Sequence, residues 1–195
     1  GDAGGITYKR SRRGDTAIDR AMAHVLHHQK EPYRIIDFFP YGYDERQYCS
    51  PGFNLPVGCL MRTPHGEYPE YHTSADNLKF VHEEAMWRIL VLSLKAFFLL
   101  ENDRRPMSMN PFCEPQLGKR GLYRAIAGQT EGAVKEMALL WVLNLADGRH
   151  SLLDIGERAQ MSFESIYSAA GALSDHGLVK MSMETAGTLD ARSSS

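Results

Sequence analysis

Two short runs, Asp44-Glu45-Arg46-Gln47-Tyr48 and Tyr68-Pro69-Glu70-Tyr71-His72-Thr73-Ser74-Ala75-Asp76-Asn77, gather carboxylates, a histidine, an arginine and tyrosines. An ionised carboxylate can take a proton, a neutral imidazole can ligate a metal, and a phenol can donate to a developing oxyanion. Between the runs, Leu55-Pro56-Val57-Gly58-Cys59-Leu60-Met61 is apolar and punctuated by Pro and Gly, which predicts a short buried strand with polar loops at its ends. A buried strand flanked by polar loops is how an α/β enzyme presents a site.

Each of these residues also has a plain structural reading. A zinc site needs several ligands, and His72 alone, with Asp76 four residues on as a supporting or capping carboxylate, equally fits a surface histidine. Arg46 and Arg62 could hold a substrate carboxylate through two parallel hydrogen bonds, or form structural salt bridges. Tyr48 and Tyr71 could donate to an oxyanion, or simply pack. His65, between Pro64 and Gly66-Glu67, could approach a substrate or lie in solvent, and Glu67 and Glu70 read as solvated loop charges. His24, His27 and His28 have helical ligand spacing but no His-Glu-x-x-His pattern, and Cys49 and Cys59 have no paired base in the sequence.

The elements that would position the two runs alternate in type. Ile6–Arg10 predicts a strand, 15–28 a helix with Ile18, Met22, Val25 and Leu26 on one face, 33–39 another strand, and 82–101 a long core helix. This β-α-β alternation is that of an α/β layered domain. The pattern breaks at 102–115, where Asp103, Arg104, Arg105, Pro106, Asn110, Pro111 and Pro115 interrupt the apolar periodicity. Beyond it, helices at 132–145, 151–159 and 162–174 and a strand at 178–181 are arranged like a winged helix-turn-helix. Ser182 onward is small and polar and is expected to be a disordered tail.

The chain has 195 residues, 43% of them hydrophobic, and a net charge of −2, so nothing global draws it to nucleic acid or an anionic membrane. Over 131–180 four basic residues face seven acidic ones, and the expected recognition helix, counted from Ser162 to Asp175, carries Glu164 and Asp175 without Lys or Arg. Phosphate neutralisation drives most DNA affinity, so this balance argues against DNA and for a protein-interaction role, including pairing with a second copy through the winged-helix segment. Three cysteines without a Cys-x-x-Cys pair fit a reducing, cytoplasmic setting. The longest apolar run, 89–100, contains Ser93 and Lys95 and falls short of the roughly 20 residues that cross a bilayer, so no membrane partner is expected.

Taken together in this order, the motifs carry a resemblance. Tyr71-His72-Thr73 with Asp76-Asn77 resembles the last metal-ligand motif of the bimetallic zinc aminopeptidases and the related glutaminyl cyclases, and Asp44-Glu45, with Gly52 and Pro56 downstream, resembles the preceding active-site loop of that clan. The segments 39–52 and 115–123 are similar to signatures of bacterial aminopeptidase-like proteins that end in a winged helix. The resemblance covers nearly the whole chain. It implies the C-terminal portion of a zinc-exopeptidase-like α/β/α domain over 1–105, then a winged helix over 106–181 and the tail 182–195. It also implies zinc as cofactor with His72 as ligand, and a metal-activated water attacking an N-terminal peptide or a small amide substrate. Asp44 or Glu45 would orient His72, bind the substrate amine or ligate metal, with Arg46, Tyr48, Arg62 and Tyr71 around the substrate. Glu45 stands where better-known members have His, and the remaining metal ligands would precede Gly1, so the chain is expected to be part of a longer protein. The rival readings are a diverged member acting on a metabolite amide and a winged-helix DNA-binding regulator.

Overall fold

The structure is a computed structural model; it describes residues 1–122 and 130–182, with the side chains of Thr130 and Glu131 outside the description. Of the tail expected over 182–195 only Ser182 is described, its amide donating to the Arg105 carbonyl at 3.2 Å, and the rest of it and the end of the 115–123 signature lie outside the described residues. Two compact units divide between Phe98 and Leu99.

The first unit is built on β1 (Ile6–Lys9), the central strand of a three-stranded sheet. β2 (Tyr33–Ile36) runs parallel to it with Ile6 opposite Tyr33, and β3 (Cys59–Met61) runs antiparallel with Lys9 opposite Cys59. The β1-to-β2 connection is α1 (Ala17–His27), which buries Ala21, Met22, Val25 and Leu26. Its start is fixed by Thr16 and Asp19: the Asp19 carboxylate accepts from the Thr16 amide at 3.1 Å and hydroxyl at 2.6 Å, and from the Ser11 amide at 2.7 Å. The Tyr8 phenol donates to the same carboxylate at 2.9 Å, tying strand to helix cap.

Three expectations change. The strand expected over 55–61 shortens to β3, and it is half-buried rather than buried, with Leu55 and Pro56 exposed. Pro56 has no N–H to give a ladder, and Gly58 lies against the Tyr8 ring so closely that a Cβ there would sit 2.1 Å from the phenol oxygen. The strand expected over 33–39 ends at Ile36. The long helix forms, as α3 (Glu83–Asn102), but it is not a core helix among the described residues. Ala85, Leu92, Ala96 and Leu99 are buried while Met86, Trp87, Leu90, Leu94, Phe97 and Phe98 are exposed, because its apolar residues surround the axis and only one side is covered. A five-residue helix absent from the sequence reading, α2 (Asp44–Tyr48), carries the first chemical run.

The second unit is a winged helix. β4 (Pro106–Ser108), α4 (Thr130–Leu145), α5 (Leu152–Ala159), α6 (Phe163–Asp175) and β5 (Val179–Met181) follow in order. β4, which lies inside the interrupted segment 102–115, pairs antiparallel with β5. Val142, Leu152, Ile155, Phe163, Ile166, Leu173 and Val179 form the core. Ser151 caps α5 by accepting from the Asp154 amide at 3.2 Å, and the Asp154 carboxylate accepts in turn from the Ser151 amide at 2.7 Å. Gly177, at φ 66°, ends α6 in the left-handed conformation that the Leu178-to-Leu173 hydrogen bond of 2.9 Å requires. No helix among the described residues is long and apolar enough to cross a membrane.

Candidate functional site

The site is organised by a charge that the sequence hid. Lys9, the last residue of β1, is 1% exposed, and its ammonium lies 2.5 Å from Glu45 Oε1 and 2.7 Å from the Tyr41 carbonyl. The face of Phe39 covers it, 4.6 Å from ring centroid to nitrogen. A buried ammonium needs this much compensation, because an unpaired charge in a low dielectric is costly. Glu45 is itself buried, and its other oxygen accepts from the Tyr43 amide at 3.1 Å. Burial alone would raise the Glu45 carboxyl, but the Lys9 hydrogen bond and the neighbouring backbone amides hold it below the usual carboxylate range. Gly42, at φ 153°, is the only residue type that fits between them, since a Cβ there would fall 1.8 Å from Glu45 Oε1.

From this pair the geometry runs outward. The Tyr43 and Tyr71 hydroxyls are hydrogen-bonded to each other, and that bond pushes the Tyr71 phenol up to about 12. The Tyr43 ring meets His65 edge-on at 4.5 Å, and Tyr71 stacks on His72 at 4.0 Å with an interplanar angle of 16°. His72 has φ 58°, a left-handed backbone that a residue with a Cβ adopts at some cost and that often marks functional turns. His65 Nε2 is buried without a hydrogen-bond partner, and burial lowers the imidazole's pKa, with Glu45 opposing and Lys9 reinforcing the shift. A neutral ring with an unsatisfied nitrogen, walled by tyrosines, can hold a hydrogen bond to a polar ligand.

The residues named from sequence are thus distributed unevenly. Glu45 is linked through Tyr43 to Tyr71 and its neighbour His72, with His65 against both tyrosine rings. Asp44 and Arg46 are exposed on α2, and Tyr48 is half exposed at its end. Arg62 is elsewhere: it follows Met61, which pairs with Thr7, and its guanidinium bonds Glu31 Oε2 at 3.0 Å, so it sits toward the opposite end of β1 from Lys9. Arg88 donates to the other Glu31 oxygen at 2.6 Å, which gives Arg62 the structural salt-bridge role. Asp76 is exposed, and its amide donates to the Thr73 carbonyl at 3.2 Å within a turn. Cys49 is buried with its Sγ 3.3 Å from the Leu55 and Val57 carbonyls, and burial raises the Cys59 thiol. Neither thiol is poised as a nucleophile.

Lys9 and Tyr43 escaped the sequence reading. The signal for Lys9 was a lysine ending an otherwise buried Ile-Thr-Tyr-Lys strand, which demands a counter-ion that Glu45 could supply. For zinc, the described residues alone do not fit: no group of three or more His, Cys, Asp or Glu is close enough to hold a metal, and Glu45 is committed to Lys9. His72 offers one nitrogen donor.

A mixed α/β unit carrying this cluster, followed by a winged helix, defines the class of protein. The chain belongs to the family defined by a domain of unknown function (DUF4910), whose model matches residues 1–103, and a winged helix-turn-helix model matches 104–181. It is 47% identical over 181 residues to a Clostridium acetobutylicum protein named "Putative polysaccharide biosynthesis protein with aminopeptidase-like domain", covering 93% of this chain and 42% of that one. A solved structure from the same organism, named as a "putative peptidase", superposes with a TM-score of 0.84 at 44% identity, over 93% of this chain and 40% of that one. The chain thus spans about two fifths of the length of these relatives.

Proposed function

We propose that this chain forms one wall of the active site of an aminopeptidase-like hydrolase acting on an N-terminal peptide or small amide bond. The observation that carries the reading is the convergence of Tyr43, His65, Tyr71 and His72, from two loops far apart in sequence, around an unpaired buried imidazole nitrogen. The names of the relatives support it. In this reading the Tyr43–Tyr71 hydroxyl pair donates to the substrate carbonyl, and neutral His65 hydrogen-bonds the amide. Exposed Asp44 would meet a substrate ammonium, with Arg46 and Tyr48 of the same helix as further substrate contacts. His72 is the one zinc ligand this chain would contribute, the others coming from residues it does not contain. The test uses a protein of the relatives' full length. Turnover of aminoacyl amides and bound zinc should both fall in His72→Ala and persist in Arg62→Lys. Undiminished turnover and zinc in His72→Ala would refute the reading.

For the winged helix we infer a protein-interaction role, not a DNA-reading one. The exposed residues of α6 include Glu164, Tyr167, Ser168, Gly171 and Asp175, with no Lys or Arg among them to neutralise phosphate. Binding to a duplex that weakens steeply with salt would reverse this.

A further inference from the structure

We propose that Lys9 is a positioning residue for the candidate site, setting the orientation of His72 through a relay of five side chains. It rests on the reading of His72 as a site residue, but its geometry is independent of any metal. Lys9 holds two points of the Tyr41–Glu45 turn at once, the Tyr41 carbonyl and the Glu45 carboxylate, and Glu45 in turn anchors the Tyr43 amide. The turn is therefore pinned at its first, third and last residues, and Gly42 is required at the second because a Cβ there would overlap both partners of the ion pair. Pinning the turn fixes Tyr43, whose hydroxyl holds Tyr71, whose ring lies flat on His72.

Nothing else described anchors the His72 ring. The 70–77 segment is held by short-range turn bonds, Thr73 to Glu70 at 3.0 Å and Asp76 to Thr73 at 3.2 Å, and its residues 72–77 are exposed. Turn bonds of this kind shape a backbone but leave a solvent-facing imidazole free to rotate. The stack on Tyr71 is what selects one orientation; Tyr71 packs edge-on against Tyr68 at 5.5 Å, and its hydroxyl is held by the turn that Lys9 pins. An ion pair buried under Phe39 is suited to this, because it has one low-energy geometry and does not exchange with water.

The experiment is NMR of the imidazole protons of the whole chain, read without added metal. A ring stacked at 4.0 Å shifts the His72 protons upfield, and Tyr71→Leu defines the unstacked value. Lys9→Met, and separately Gly42→Ala, which displaces the pair while keeping both its members, should move the His72 signals at least halfway to that value. Tyr43→Phe, which leaves the ion pair intact, should do the same. Far-UV circular dichroism and hydrogen exchange in β1 and α1 of the first unit check that the variants are folded. His72 signals unchanged in folded Lys9→Met and Gly42→Ala overturn the proposal; should neither fold, unchanged signals in Tyr43→Phe overturn it by breaking the relay. The relay can be present in a protein that binds no zinc, so its failure and that of the hydrolase reading are separately visible.

Discussion

The two units bury different things. Among the described residues, the first encloses Asp2, Thr7, Lys9, Ser11, Thr16, Asp19, His24, Glu45 and Arg62, while the winged helix encloses only Asp103 and Ser151 as polar residues in a core of Leu, Ile, Val, Ala and Phe. Ser151 is a helix cap, and Asp103 accepts from the Leu153 amide at 2.8 Å, so both serve the start of α5. The Lys9–Glu45 pair holds the turn that leads into α2, tying it to β1. An apolar core suffices to make a winged helix, whereas the first unit carries desolvated charge to fix side chains that face outward. Buried charge stabilises poorly for its cost.

That contrast can be broken most forcefully in the cores. Phe163→Ala should cost the winged helix about 3–5 kcal/mol through lost burial and a residual cavity. Lys9→Met should cost the first unit a similar 3–5 kcal/mol, because it strands the Glu45 carboxylate. The two differ in rescue: Lys9→Met/Glu45→Met should recover most of the stability without recovering the order of Tyr43, since its amide acceptor is gone. Hydrogen exchange resolved by segment measures both, and a double variant as unstable as the single would show that the pair is needed for stability itself.

A smaller effect separates the units by pH. Burial opposes ionisation of Asp19, but the Ser11, Thr16 and Tyr8 hydrogen bonds hold its carboxyl below the usual range, as Lys9 does for Glu45. Folded values below the unfolded ones mean stabilisation that is complete above the ordinary carboxylate range, about pH 4, and is lost as pH falls through the depressed values. In the winged helix, Asp147 is lowered to about 2 against burial by the His150 and Arg149 amides and the His150 ring, but it is exposed and screened and contributes little. Acid titration should therefore loosen the first unit before the second. Smallest of all, Ser151→Ala should cost about 1 kcal/mol, confined to α5.

How much of this was legible in the sequence follows the same divide. The winged helix could be read from periodicity and caps, because Ser151, Ser162 and Gly177 announce their helices and the core is apolar. Its missed element, β4, starts on a proline and is three residues long, too short for a period to show. In the first unit, periodicity located β1, α1 and α3, yet it assigned α3 to a core and read seven strand residues where Pro56 and Gly58 leave three. Glu45, Tyr71 and His72 were singled out, and Glu45 is connected to the other two through Tyr43, whose amide it accepts and whose hydroxyl bonds Tyr71. Arg62 was chosen for its type, and only the register of β3 against β1 shows it paired with Glu31. Lys9 was passed over because a single lysine in a strand has no local partner; Glu45 is far away in sequence, and only the tertiary fold joins them.

The measurement closest to the central claim is anomalous scattering at the zinc edge from crystals of a protein of the relatives' full length. The account predicts a peak about 2.1 Å from a His72 ring nitrogen, with Tyr71 stacked on the ring and Tyr43 held by Glu45. A zinc peak remote from His72, or zinc-soaked crystals with His72 unligated, would contradict it.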